Sequence, residues 1–188
     1  MKLILIRHGR TDANERHLYC GSTDLPLSER GRRELRALRE SGVLPSMDGT
    51  RIITSGALRC RETLMELYGG LPHETEPDFR EMDFGDFEMR SYEKLKHDPA
   101  YIAWITGDNE ANVTPGGESG DQMKARVFAA LERVTRENRP TAVFTHGGVI
   151  AAIMDRLFPE EGKNRYQWQR SPGRGYVINT AAGTYTAI

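Results

Sequence analysis

The first apolar run of the chain, Leu3-Ile4-Leu5-Ile6, is unbroken and stops abruptly at Arg7, His8 and Gly9. A half-exposed strand would alternate, so an uninterrupted run predicts a strand buried on both faces of a parallel sheet. Polar, turn-rich sequence follows to Pro26. Ser28-Glu29-Arg30-Gly31 then opens a charged stretch in which Leu35 and Leu38 recur at helical spacing, the pattern of a helix with an Arg- and Glu-rich outer face. Ile52-Ile53 predicts a second short strand, followed by a helix to about Gly69-Gly70 that draws its apolar contacts from Leu58, Met65 and Leu67. Residues 72–115 are the least regular part: short extended pieces, a helix near 91–97, another near 100–105 and a Gly/Asn/Pro-rich loop. Segments of this kind between regular units often cover a site. Ser119 and Gln122 form a capping box that opens a long helix through Val127, Leu131 and Val134 to about Glu137. Thr141-Ala142-Val143-Phe144 reads as the next strand and 147–157 as the next helix, stopped by Pro159. Tyr176-Val177-Ile178 and Thr184-Tyr185-Thr186 read as a closing hairpin across Ala182-Gly183.

Strands alternating with helices predict an α/β fold: a three-layer sandwich with a mainly parallel central sheet, helices on both faces, and a small helical cap insertion at 72–115. All of it is expected in one domain spanning residues 1–188, a length within the usual size of a single domain. With 26 Lys and Arg against 27 Asp and Glu, the net charge of -1 offers neither the basic excess of a nucleic-acid binder nor a basic membrane-surface helix. The two cysteines, Cys20 and Cys60, have no C-x-x-C spacing, which argues against a zinc cluster or a disulfide framework and for a reducing compartment. The apolar run after Lys2 is too short for a signal peptide, and no window reaches the roughly 20 residues of a membrane span. The expectation is a cytoplasmic protein without nucleic-acid or membrane partners.

In open parallel sheets ligands bind beyond the carboxyl ends of the strands. Two strands here end in His followed by Gly, at Ile6-Arg7-His8-Gly9 and at Thr145-His146-Gly147-Gly148. The strand at Ile52-Ile53 leads through Thr54-Ser55-Gly56 to Arg59 in the first turn of its helix. Two histidines and two arginines therefore converge if these strand ends are neighbours. Guanidinium groups bind phosphate bidentately, and the Gly147-Gly148 amides at a helix start suit an anion. The pattern calls for a phosphoryl group.

These residues, with Asn14, Thr63, Glu81 in Phe79-Arg80-Glu81-Met82-Asp83-Phe84-Gly85 and the block Pro115-Gly116-Gly117-Glu118-Ser119, resemble the histidine phosphatase superfamily, also called phosphoglycerate-mutase-like. The likeness covers residues 3 to about 150. Tyr19-Cys20-Gly21-Ser22-Thr23-Asp24-Leu25-Pro26-Leu27 looks most like its alpha-ribazole phosphatase branch, which acts on a cobalamin-pathway nucleotide. The resemblance implies a metal-independent phosphomonoester hydrolase that needs no cofactor and takes a small phosphorylated metabolite as its partner. His8 would be the nucleophile that becomes phosphohistidine; Arg7, Arg59 and His146 would hold the phosphate oxygens, assisted by Asn14 and the Gly147 amide. Glu81 would be the proton donor, with Asp83 or Glu88 next in line, and Cys20 and Gly21 would contact the rest of the substrate. Fixed cations beside His8 favour the neutral, nucleophilic ring.

The chain departs from the pattern at Arg10, Gly56-Ala57, Met89 and Ala151, where members often carry Glu, Pro/Asp-Leu, Gly and Arg. Arg10 offers a charge for a second anionic group. His17, His73 and His97 read as surface residues, Cys60 as a helix-packing residue, and Met89, Tyr92, Tyr101 and Trp104 as packing under the cap in preference to stacking on a heterocycle. Two alternatives stand beside the phosphatase: a phosphoglycerate mutase using the same residues, and a non-catalytic phosphate-sensing module on this fold. The presence of His8, Glu81, Arg7, Arg59 and His146 together disfavours the module.

Overall fold

A computed structural model describes residues 1–108 and 110–188. Asn109, in the Gly/Asn/Pro-rich loop, lies outside the described residues. In chain order the elements are β1 (Lys2–Arg7), α1 (Asp12–Glu15), α2 (Glu29–Glu40), β2 (Arg51–Thr54), α3 (Leu58–Tyr68), β3 (Glu74–Thr75), α4 (Tyr92–Leu95), α5 (Pro99–Ile105), α6 (Gly120–Arg136), β4 (Thr141–Thr145), α7 (Gly147–Leu157), α8 (Arg165–Trp168), β5 (Gly175–Asn179) and β6 (Thr184–Ala187). The strands form one six-stranded sheet in the order β3-β2-β4-β1-β5-β6. β1, β2, β3 and β4 run parallel, whereas β5 lies antiparallel to β1 and carries β6 as a hairpin.

The unbroken run of β1 is explained by its neighbours, β4 on one side and β5 on the other, and by helices above and below. Side chains alternate across a strand, so Leu3 and Leu5 enter the layer under α6 and α7 with Val127, Ile150 and Met154. Ile4 and Ile6 enter the opposite layer, under α2 and α3, with Leu35, Leu38 and Leu64. Ser28 caps α2 by accepting from the Gly31 amide at 3.0 Å, and the Ser119–Gln122 capping box closes reciprocally at 2.9 and 3.1 Å. The packing expected of Met65 fails. Met65 is 56% exposed; the buried stripe of α3 runs through Cys60, Leu64 and Leu67, at i, i+4 and i+7, which turns Met65 to solvent.

Within 72–115, Glu74 and Thr75 join the sheet edge beside β2, while α4 and α5 fold over a small aromatic cluster of Phe87, Leu95 and Tyr101 packed by Tyr19, Phe84 and Trp104. The Tyr19 and Tyr101 hydroxyls meet at 2.6 Å. Tyr101 and Trp104 thus pack as expected, while Tyr92 is exposed. Among the described residues no helix is long and apolar enough to cross a membrane.

Candidate active site

β1 and β4 are adjacent and in register, Ile6 opposite Phe144 and Arg7 opposite Thr145, so the two His-Gly turns leave the sheet side by side. The His8 and His146 rings stand 5.2 Å apart, edge to face. β2 neighbours β4, and its exit places Arg59 in the same spot. Sheet order therefore does what the sequence pattern required.

His8 is 6% exposed. Its Nδ1 lies 2.7 Å from the Gly9 carbonyl; a carbonyl only accepts, so Nδ1 carries the proton and Nε2 keeps a lone pair. Burial, and then Arg59, hold the His8 proton affinity well below that of a free histidine, with Arg7 adding to the effect. The ring is neutral, chiefly through desolvation and secondarily through the cations. His146 is depressed for the same reasons, burial first and Arg59 second.

Arg59 is fully buried yet partnered: Nη1 donates to the Thr23 carbonyl at 2.9 Å, and Nη2 to the Gly21 carbonyl at 2.8 Å and to His146 Nδ1 at 3.2 Å. Because guanidinium has only donors, His146 Nδ1 is the acceptor, and Nε2–H is directed to Ser55 Oγ at 2.9 Å. Thr63 ties the base of the site, accepting from the Gly9 amide at 2.8 Å and donating to the Arg59 carbonyl at 2.6 Å. Arg7 donates from Nη1 to the Arg170 carbonyl at 2.7 Å, while its buried Nε has no partner among the described residues. An unmatched, desolvated donor beside two neutral imidazoles is the condition under which an oxyanion is bound.

Glu81 sits at the start of α7. Its Oε2 accepts from the Gly148 amide at 2.9 Å and its Oε1 from the Met82 amide at 3.1 Å. A methyl group added to Gly148 would lie 2.4 Å from Glu81 Oε1, so glycine is what lets the carboxylate settle onto the helix. The Gly147 amide, next to it, is free in the first turn of α7 and faces the same positive end of the helix dipole.

Of the residues singled out from sequence, His8, Arg7, Arg59, His146, Glu81, Gly147 and Gly21 come together. Gly21 has both backbone groups occupied, by Arg59 and by Glu88, and its absent side chain makes room for the Met82 carbonyl. Asn14 stands at the edge as the capping-box residue of α1, its Oδ1 accepting from the Thr11 amide at 3.0 Å. Cys20 donates to the Thr23 carbonyl at 3.6 Å, and burial raises its thiol despite Arg59, which makes it a poor nucleophile. Cys60 is buried and pushed up to about 11 by burial, an inert packing thiol as expected. Arg10 is paired with Glu34 at 3.2 Å, and that carboxylate is shared with Arg30 at 2.8 Å.

The two fallback acids of the sequence reading, Glu88 and Asp83, have other partners. Glu88 accepts from the amides of Gly21, Ser22, Thr23 and Phe84 at 2.9 to 3.3 Å and from the Thr23 hydroxyl at 2.7 Å. A carboxylate so committed clasps the 21–23 loop under Arg59 and has no capacity left for proton transfer. Asp83 Oδ1 accepts from the Ser22 hydroxyl and the Gly85 amide, both at 2.9 Å. For Ser55 the signal was its place in the Thr54-Ser55 block; for Arg170 no pattern existed.

A model of the histidine phosphatase superfamily (branch 1) matches residues 3–187. The adenosylcobalamin/alpha-ribazole phosphatase of Salmonella typhimurium is 30% identical over 99% of this chain and 94% of its own length. An uncharacterized phosphatase of Bacillus subtilis is 29% identical over 81% of this chain and 75% of its length. Among solved structures, a protein described as a putative alpha-ribazole-5'-P phosphatase from Escherichia coli superposes with a TM-score of 0.83 at 27% identity, covering 100% of this chain and 94% of that one. A phosphoglycerate mutase from Thermus thermophilus gives 0.73 at 33% identity over 95% and 93%. Strand order, paired His-Gly turns and a family match over nearly the whole length agree: the chain belongs to the histidine phosphatase superfamily and is a phosphatase.

Proposed function

We propose that this phosphatase hydrolyses phosphate monoesters through a phosphohistidine on His8 Nε2. The observation that carries the reading is the His8 ring: buried, neutral, with Nδ1–H pinned to Gly9, Nε2 left with its lone pair, His146 5.2 Å away and the charges of Arg59 and Arg7 acting on it. Phosphoryl transfer demands mostly positioning and charge stabilisation, and the free Nε of Arg7, the Arg59 guanidinium and the Gly147 amide supply both. The ester P–O bond breaks as the P–Nε2 bond forms, and the Glu81 carboxyl gives its proton to the departing alkoxide. Glu81 shares the α7 terminus with the Gly147 amide, so the acid stands beside the place where the phosphate would be held. In the second half, water attacks phosphorus, the P–N bond breaks, and the Glu81 carboxylate accepts the water proton.

A cavity of about 430 Å³ opens beside Gly148, lined by Met123, Ala151 and Ala152 and by the charged residues Glu110, Lys124, Asp155, Lys163 and Arg165. Its size suits a nucleoside-sized leaving group, which, with the names of the relatives above, supports alpha-ribazole 5'-phosphate as the substrate. In rapid quench, wild-type enzyme should trap acid-labile, base-stable phosphate, and His8→Ala should trap none and lose turnover. Substantial turnover by His8→Ala overturns the mechanism. Turnover of alpha-ribazole 5'-phosphate should exceed that of phosphoserine and 3-phosphoglycerate; equal rates overturn the substrate reading alone.

A further inference from the structure

Arg126, on α6, uses every donor an arginine owns. Nη1 donates to the backbone carbonyls of Asp78 at 2.8 Å and Arg80 at 2.7 Å, and Nη2 to the carbonyl of Glu81 itself at 2.9 Å. Nε reaches Glu118 Oε2 at 3.1 Å, and Nη2 also meets Glu118 Oε1. Glu118 completes the grip from the other side: its Oε1 accepts from the Asp83 amide at 3.0 Å, and its own amide donates to the Asp83 carbonyl at 3.0 Å. Thr114 Oγ1 adds a further bond to that carbonyl at 3.0 Å.

The segment held in this way is irregular. After a single turn of 3-10 helix at Pro77–Phe79, residues 80–83 belong to no helix or strand. Their carbonyls have no ladder to join and are matched by a side chain instead. Glu81 is thus a carboxylate on backbone that has no stiffness of its own, although proton transfer needs heavy atoms at about 2.6–3.2 Å. A surface tether would not need a planar cation with three donors on the backbone before and at the acid and the other two on Glu118, which in turn holds the Asp83 amide beyond it. Such a half-buried charge pair adds little net stability, whereas the fork geometry fixes position.

We infer that Arg126, oriented by Glu118, is a positioning residue for proton transfer: it sets the backbone from which Glu81 reaches the α7 terminus. The inference rests on the reading of Glu81 as proton donor. It gives the Pro115-Gly116-Gly117-Glu118-Ser119 block a function, since Glu118 delivers the grip while Ser119 starts the helix that carries Arg126.

The test compares phosphoenzyme formation in single turnovers with an alkyl ester, such as a nucleoside 5'-phosphate, and with nitrophenyl phosphate, whose leaving group needs no proton. A displacement of about 1 Å in a positioned group costs ~10²-fold, so Arg126→Met should lose about that much in the rate of phosphoenzyme formation from the alkyl ester and little from the nitrophenyl ester, with the substrate concentration for half-maximal rate nearly unchanged. Arg126→Lys, keeping the charge but not the fork, should recover part of the loss. In a Glu81→Gln background Arg126→Met should add no further ester-selective loss. Equal losses on both esters, or none on either, in protein of wild-type melting behaviour overturn the inference. If Arg126→Met does not fold, Glu118→Gln decides: a smaller loss with the same ester selectivity supports the role, and a loss without selectivity overturns it. If Glu81→Gln is itself unselective, the donor reading fails and the inference falls with it; selectivity in Glu81→Gln but not in the Arg126 variants overturns the inference alone.

Discussion

Gly148→Ala should make the enzyme slightly more stable and much less active. Gly148 has ordinary helical backbone in the first turn of α7, so alanine meets no dihedral strain there. Replacing glycine in a helix is worth roughly 0.5–1 kcal/mol, or about 2 °C in Tm for a chain of this size. The new methyl would lie 2.4 Å from Glu81 Oε1, the end of a flexible side chain. Reaching ordinary contact at 3.4 Å moves the carboxylate about 1 Å, and the 2.9 Å bond from the Gly148 amide is then lengthened or lost. A shift of that size costs ~10²-fold where a group must transfer a proton in the transition state. Calorimetry should therefore report an unchanged or higher Tm, while kcat on an alkyl phosphate falls and nitrophenyl phosphate is cleaved to phosphoenzyme at nearly the wild-type rate. Full alkyl-phosphate activity in a stable Gly148→Ala protein would refute the placement of Glu81 as the acid. A lowered Tm would refute the claim that the side chain, and not the helix, gives way.

Two other outcomes follow from the same geometry. His8 and His146 are held neutral in the fold, principally by burial, so above the free-histidine value of ~6.5 they add no pH dependence, whereas below it the unfolded chain binds more protons and stability falls at ~1.4 kcal/mol per pH unit for each. Urea midpoints from pH 8 to 5 should show this decline, and His8→Ala should lose one proton of slope; an identical slope in the variant counts against a neutral buried His8. Met89 has φ +57, a left-handed conformation that costs an L-residue ~1–2 kcal/mol, of which glycine's extra unfolded entropy returns ~0.5–1. Met89→Gly should therefore gain about 0.5–1 kcal/mol in urea unfolding with an unchanged m-value, and a net loss would mean that the half-buried side chain packs more strongly than the strain it stores.

What was legible in the sequence is what neighbours along the chain decide. The run Leu3-Ile4-Leu5-Ile6, the Ser119–Gln122 cap and the Leu35–Leu38 spacing each express a local rule of period or capping, and each became the element expected. The His8 and His146 turns were legible as strand ends, and the Arg59 and Glu81 blocks through their order. The rest needed the third dimension. β3 is only two residues long and polar, so its strand state comes entirely from the parallel edge that β2 offers. Met65 and Leu64 differ by one position, and only the packing of α3 on the sheet tells which is buried. Glu88 and Asp83 carry the same carboxyl group as Glu81, but Glu88 is taken up by residues 21–23 and Asp83 Oδ1 by Ser22 and Gly85, whereas Glu81 is bonded to the Gly148 amide at the helix terminus. Arg126 reads as one more polar position on an amphipathic helix; its five bonds go to residues as far as 48 positions away in the chain. Residue type and period specify which elements form. Strand order and loop closure decide which of several chemically equivalent side chains is left with an unmatched proton, lone pair or charge, because that depends on partners brought from distant parts of the chain.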